Sequence, residues 1–172
     1  MLKQVFLLII VATALMPAEA RSQYLVRDSS GVKIFNGLLS KANLEQEPSF
    51  AWMRNNISWY KPNADAVKHL IRLKGKVHLI VFGGTWCEDS QIIMPQLFKL
   101  MDAAAFPETS LTLIGVERNK KTLSQLSEAL NIDKVPTILV MQQGKEMGRV
   151  IEYGKYGVYD QELGEILAAI KD

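Results

Sequence analysis

A second cysteine is missing. Cys87 stands alone among 172 residues, so no disulfide can close within the chain, and its thiol is either buried and inert or open to reaction with another molecule. Histidine is almost as scarce. His69 and His78 have no Cys, further His or paired carboxylate at ligand spacing, so no metal site is expected. Charge of one sign is also lacking: 20 Lys and Arg against 18 Asp and Glu leave a net charge of +2 without a long run of either, which argues against a nucleic-acid partner. No Gly-rich phosphate loop, Ser-His-Asp set or paired catalytic carboxylates occur, so no cofactor is expected. Internal repeats and low-complexity tracts are absent.

The longest apolar run comes first in the chain. Lys3 precedes Val5 to Met16, and Pro17 and the small-residue pattern Ala18-Glu19-Ala20 follow. This reads as a secretory signal peptide over residues 1–20, because a run of about a dozen apolar residues falls short of the ~20 that span a bilayer. With no cysteine at the cleavage point, a lipid-modified N-terminus is not expected. The mature protein is expected to be exported, periplasmic or secreted, with no integral membrane segment. Export sharpens the question about Cys87, since an oxidising compartment offers this thiol only other molecules as partners.

The apolar fraction of 48% suits one compact domain plus an extra segment. From Arg21 patterning is weak, with one short strand expected between Gly31 and Gly37. Residues 21–62 are therefore expected to form an N-terminal extension, packed on the main domain through Phe50, Trp52, Trp59 and Tyr60. Asn56-Ile57-Ser58 within it is a formal glycosylation sequon.

After Pro62-Asn63 the pattern strengthens, and residues 63–172 are expected to form the main domain. Ala64, Val67, Leu70, Ile71 and Leu73 predict a helix over about 64–73. The near-continuous apolar run Val77 to Phe82 predicts a central strand buried on both faces. A helix opening near Cys87 carries Ile92, Ile93, Leu97, Leu100 and Met101 on one side with Pro95 inside it, where a proline should kink it. A strand over 111–116 and a helix over 122–130 follow. Strands over 135–141 and 146–152 flank a Gly-containing turn, and a last helix is expected over 161–170. Strand, helix and strand with connections this short imply a parallel βαβ unit.

Trp86-Cys87 at the first strand-to-helix junction, Pro95 inside the following helix, Val135-Pro136-Thr137 before a strand, and Gly144 in the hairpin turn together resemble the thioredoxin family. The resemblance covers roughly Asn63 to Asp172. It implies an α/β thioredoxin-like fold, βαβ then ββα, with a central mixed sheet flanked by helices. It also implies a cis-proline loop at Pro136, packed beside the reactive cysteine. Val135 would offer its backbone to an extended substrate, with Trp86 and Gly84 lining the same groove. The family's Cys-x-x-Cys motif reads Cys87-Glu88-Asp89-Ser90 here. Ser90 takes the place of the resolving cysteine, and Val81 stands where many relatives keep a buried acid that assists the resolving step.

A thiol at a helix N-terminus is favoured as thiolate by the helix dipole and by unpaired N–H groups, whereas the carboxylates of Glu88 and Asp89 oppose it. A moderately activated nucleophile is expected. Glu88 and Asp89 are also good first-turn helix residues. The expected function is monothiol thiol-disulfide exchange, of mixed-disulfide or isomerase type, with a cysteine-containing protein or a small thiol. Two alternatives stay open. One is a non-catalytic thioredoxin-like binding or chaperone module. The other is a redox-sensing or peroxide-reactive cysteine, against which stand Gly84 and Ile80, where peroxidases of related fold carry Thr or Ser and Pro.

Overall fold

The weakly patterned N-terminal stretch is a β-hairpin. Strands β1 (Tyr24–Ser29) and β2 (Val32–Leu39) pair antiparallel. Ser30 and Gly31, both at positive φ, form a two-residue turn of the kind whose twist matches paired strands. The computed structural model describes residues 23–123 and 125–171; the signal peptide expected over residues 1–20 lies outside them.

Two short helices follow, α1 (Lys41–Glu45) and α2 (Trp52–Asn55). Ser40 and Asn43 close α1 with a reciprocal capping box. Helix α3 (Ala64–Arg72) begins at Asn63, whose side chain accepts from the N–H groups of Asp65 and Ala66. Then come β3 (His78–Gly83), α4 (Glu88–Ala103), β4 (Leu111–Gly115), α5 (Leu126–Ala129), β5 (Thr137–Gln142), β6 (Lys145–Ile151) and α6 (Tyr159–Ala168). The sheet order is β1-β2-β4-β3-β5-β6, and it is mixed: β3 and β4 run parallel and the other pairs antiparallel.

Strand β3 sits inside this sheet and serves two cores, because alternate side chains leave opposite faces. Leu79 and Val81 join the larger core, with Leu70 of α3, Leu97 and Leu100 of α4, and Leu163 and Leu167 of α6. Ile80 and Phe82 face the smaller one, with Ile114, Val116, Val135, Leu139 and Leu126. Apart from His78, whose ring bonds Thr112 Oγ1, every position of the run at 77–82 therefore faces one core or the other, as a strand covered on both sides requires.

Three expectations change. Instead of one isolated strand, the segment before residue 40 supplies two strands of the sheet. A row of ring contacts through Tyr24, Phe35, Phe50 and Trp52, with centroids 5.0 to 5.1 Å apart, ties them to the segment that follows. Trp59 does not pack: it is 68% exposed, and its neighbour Tyr60 takes the inward place. The helix expected over 122–130 is confined to Leu126–Ala129. Gln125 has a left-handed φ of 53°, which a right-handed helix cannot pass through, and the Thr122 hydroxyl accepts from the N–H of Leu126 at 2.9 Å in place of a helical carbonyl.

A buried polar cluster joins α3 and α6. Tyr60 donates to Asp160 Oδ2 at 2.6 Å, and its oxygen lies 2.9 Å from that of Tyr159. Burial, then the Asp160 partner, pushes the Tyr60 phenol above its ordinary value, and burial, then Tyr60, does the same to Tyr159. Unfolded tyrosines release their protons near pH 10, while the folded chain holds these two. Below that pH both states carry the protons, and above it the unfolded state binds fewer, so stability must fall as pH rises beyond about 10. Denaturant midpoints measured from pH 8 to 11 should show the decline, and Tyr159→Phe should make it shallower. An unchanged slope in that variant would contradict the assignment.

Candidate functional site

Cys87 is the N-cap of α4, with extended backbone at φ −95° and ψ 123°. Its N–H donates to Gly84 O and its carbonyl accepts from Gln91 N, both at 2.9 Å, so a tight turn delivers the chain from the end of β3 into the helix. The thiol is half-buried. It points across the helix mouth to the loop before β5 and donates to Val135 O at 3.4 Å. The Val135–Pro136 peptide bond is cis. Pro136 is buried and its carbonyl accepts from Glu152 N at 2.7 Å, while Thr137 Oγ1 bonds Lys134 O at 2.8 Å. Two loops 48 positions apart in the sequence thus meet at one sulfur.

Ser90 lies one helical turn on and is fully buried. Its hydroxyl oxygen accepts from Gly84 N at 3.1 Å, so it closes the turn from beneath. Trp86 donates its indole N–H to Val116 O at 2.9 Å, and the Arg118 guanidinium lies 5.4 Å from the ring centroid. Gly84 must lack a side chain here: a Cβ would sit 2.7 Å from the Trp86 indole. The structure therefore brings together Gly84, Trp86, Cys87, Ser90, Val135 and Pro136. Glu88 is exposed and Asp89 half-buried in the first turn of α4. Val81 is buried in the larger core and carries no proton-transferring group.

Two residues beside Cys87 went unnoticed in the sequence. Tyr153, two positions past β6, has its phenol raised above the ordinary value first by burial, then by the Asp89 carboxylate, and further by Cys87 and Glu88. An aromatic residue directly after a strand and before Gly154 was the available signal, and it is a weak one. Thr85 is 1% exposed, and its hydroxyl bonds the backbone of β2, 50 positions away for Phe35. Asn56 of the sequon donates its amide to Gln91 O at 2.9 Å and so braces the first turn of α4. Among the described residues no three His, Cys, Asp or Glu side chains form a possible metal-ion ligand set, and no helix is long and apolar enough to cross a membrane.

Several known proteins are similar to this chain. The family model described as thioredoxin matches residues 41–169. The thioredoxin-like protein CXXS2 of Arabidopsis thaliana is 26% identical over 93 residues, 54% of this chain and 53% of that protein. The chain thus spans about half the length of that relative. A thioredoxin of Chlamydia pneumoniae is 27% identical over 85 residues, 49% of this chain and 72% of its own. Among solved structures, thioredoxin 2 of Pseudomonas aeruginosa in its reduced form superposes with a TM-score of 0.38 at 24% identity, over 63% of this chain and 94% of that one.

Proposed function

The chain belongs to the thioredoxin family, and from that premise we propose that it is an exported monothiol exchange protein that works through Cys87. The observation that carries this reading is the pairing of a half-buried thiol at the mouth of a sixteen-residue helix with a buried serine at the resolving position. The Cys87 thiolate attacks one sulfur of a disulfide, forms a mixed disulfide with it and releases the other sulfur as thiolate. A hydroxyl does not displace sulfur at neutral pH, and Ser90 Oγ is engaged by Gly84 N. The second displacement therefore falls to an external thiol or to another cysteine of the substrate, which takes over the bond and restores Cys87.

The loop before β5 supports a peptide-like substrate. As a thiol, Cys87 donates to Val135 O; as a thiolate or a disulfide sulfur it has no proton to give, and the carbonyl becomes available to an extended partner lying along it. Wild-type protein treated with a small symmetric disulfide should gain one adduct on Cys87, visible by intact mass. The adduct should persist after the excess reagent is removed and disappear only when thiol is added. A folded protein whose Cys87 resists the reagent, while the unfolded chain reacts, would overturn the reading and leave a groove that binds without exchange.

A further inference from the structure

The turn that presents Cys87 is fastened to the N-terminal hairpin by one hydroxyl. Strand β2 pairs with β4 only through Gly37, Leu38 and Leu39. Before that point β2 keeps its pairing with β1 on one edge, while the edge toward β4 has no strand beside it and needs other partners. Thr85 supplies them: its Oγ1 donates to Lys33 O at 2.8 Å and accepts from Phe35 N at 3.1 Å. One side chain of the reactive turn thus takes the place of a neighbouring strand. The same residue is held from the helix side, where Gln91 Nε2 donates to Thr85 O at 2.8 Å. Thr85 is 1% exposed, so water cannot readily replace these bonds.

We infer that Thr85 is a positioning residue for Cys87, and that the β1–β2 hairpin is a working part of the reactive site through it. The hairpin lies outside the stretch that matches the family model, which begins at residue 41, yet it is a firm anchor. The Phe35 ring is buried between Tyr24 and Phe50, and the backbone of β2 passes so close to β4 that a Cβ on Gly115 would meet Phe35 O. With β2 fixed at Phe35 and the turn fixed to β2, the backbone two residues before the sulfur has little freedom. Cys87 then holds its place between Gly84 O and Val135 O. This inference rests on the exchange reading above and names the device that orients its nucleophile.

The experiment measures the second-order rate of Cys87 with a small uncharged disulfide at 25 °C in folded wild type, Thr85→Val, Thr85→Ser and Leu70→Ala. Thr85→Val keeps the shape but removes both bonds, and it should slow the reaction about tenfold, since displacement of a reacting group by a fraction of an ångström to 1 Å costs rates of that order or more. Thr85→Ser keeps the hydroxyl and should stay within about twofold of wild type. Leu70→Ala opens the core away from the turn, so it should lower stability without changing the rate. A wild-type rate in Thr85→Val, or a Thr85→Ser variant as slow as Thr85→Val, overturns the inference while leaving the exchange reading intact; an unreactive wild type removes the reading itself. If Thr85→Val does not fold, hydrogen exchange on wild type decides: loading Cys87 with the adduct should alter protection of the Phe35 amide, and unchanged protection there overturns the coupling.

Discussion

Ser90→Cys is expected to turn a protein that stops at the mixed disulfide into one that completes the cycle. Residues three apart on a helix have neighbouring side chains, about 5–6 Å between Cβ atoms, and a disulfide needs them nearer, at about 3.5–4.5 Å. Cys87 is the N-cap with extended backbone, not a helical residue, so it has the freedom to close that gap. The introduced thiol would attack the mixed disulfide intramolecularly, at an effective concentration of millimolar or above. Against micromolar external thiol, the lifetime of the adduct should fall at least about a hundredfold. Insulin reduction at limiting chemical reductant should rise well above the wild-type rate. Two features restrain the gain. Sulfur is a poorer acceptor than oxygen for Gly84 N–H, which costs about 1 kcal/mol, and Val81 leaves no acid beneath to take the proton of the new thiol. Adding Val81→Asp should accelerate the double variant further. A Ser90→Cys protein that folds, forms the adduct on Cys87 and holds it as long as wild type would show that the turn does not present sulfur in exchange geometry.

The parts of this site that could be read in the sequence are those that a local pattern requires. An apolar run too continuous for a half-exposed strand marked β3, and the glycines and tryptophan after it marked a turn into a helix. Pro136 before another apolar run marked the facing loop. Each of these signals is contained within a few residues, and each holds its place in the folded chain. Thr85 and Tyr153 are different in kind. Thr85 matters because Lys33 and Phe35, paired with β1 on one edge, lie beyond the reach of β4 on the other, a fact about sheet edges that no window around Thr85 contains. Tyr153 matters because a hairpin returns it to the first turn of α4.

The misreadings have the same origin. The helical periodicity of Leu123, Leu126, Ala129 and Leu130 was real, but Thr122 offered its hydroxyl to the backbone and Gln125 turned left-handed, so local hydrogen bonding overrode the apolar spacing. Strand β1 escaped notice because every residue after Tyr24 in it is exposed; without a buried face there is no alternation to detect. Its place in the sheet comes from pairing with β2 along its whole length.

The second large effect should come from Asp160→Ala, far from the sulfur. Asp160 is 2% exposed, in the first turn of α6, where no side chain caps the helix. One oxygen, Oδ2, accepts from Tyr60 at 2.6 Å and from Asn63 N at 2.8 Å, so a single carboxylate joins the start of α3 to the start of α6. The two helices cross closely there, with a Cβ on Gly164 only 3.2 Å from Ala66 N. Truncation leaves the Asn63 N–H without its acceptor, deprives the Tyr60 hydroxyl of its shorter bond and removes a negative charge from a helix N-terminus. Together these should cost about 2–4 kcal/mol, or roughly 5–15 °C in Tm for a chain of this size. Lys99 of α4 carries the consequence toward the site, because its ammonium donates to Ile57 O at 2.8 Å and Tyr60 O at 2.7 Å. It grips the segment more than three turns along the helix from Cys87, however, so the Cys87 reaction rate in the folded variant should match wild type even as the melting temperature drops. A loss below about 0.5 kcal/mol, within the range of ordinary surface substitutions, would mean that the cluster is relieved by solvent and does not fasten the two helices.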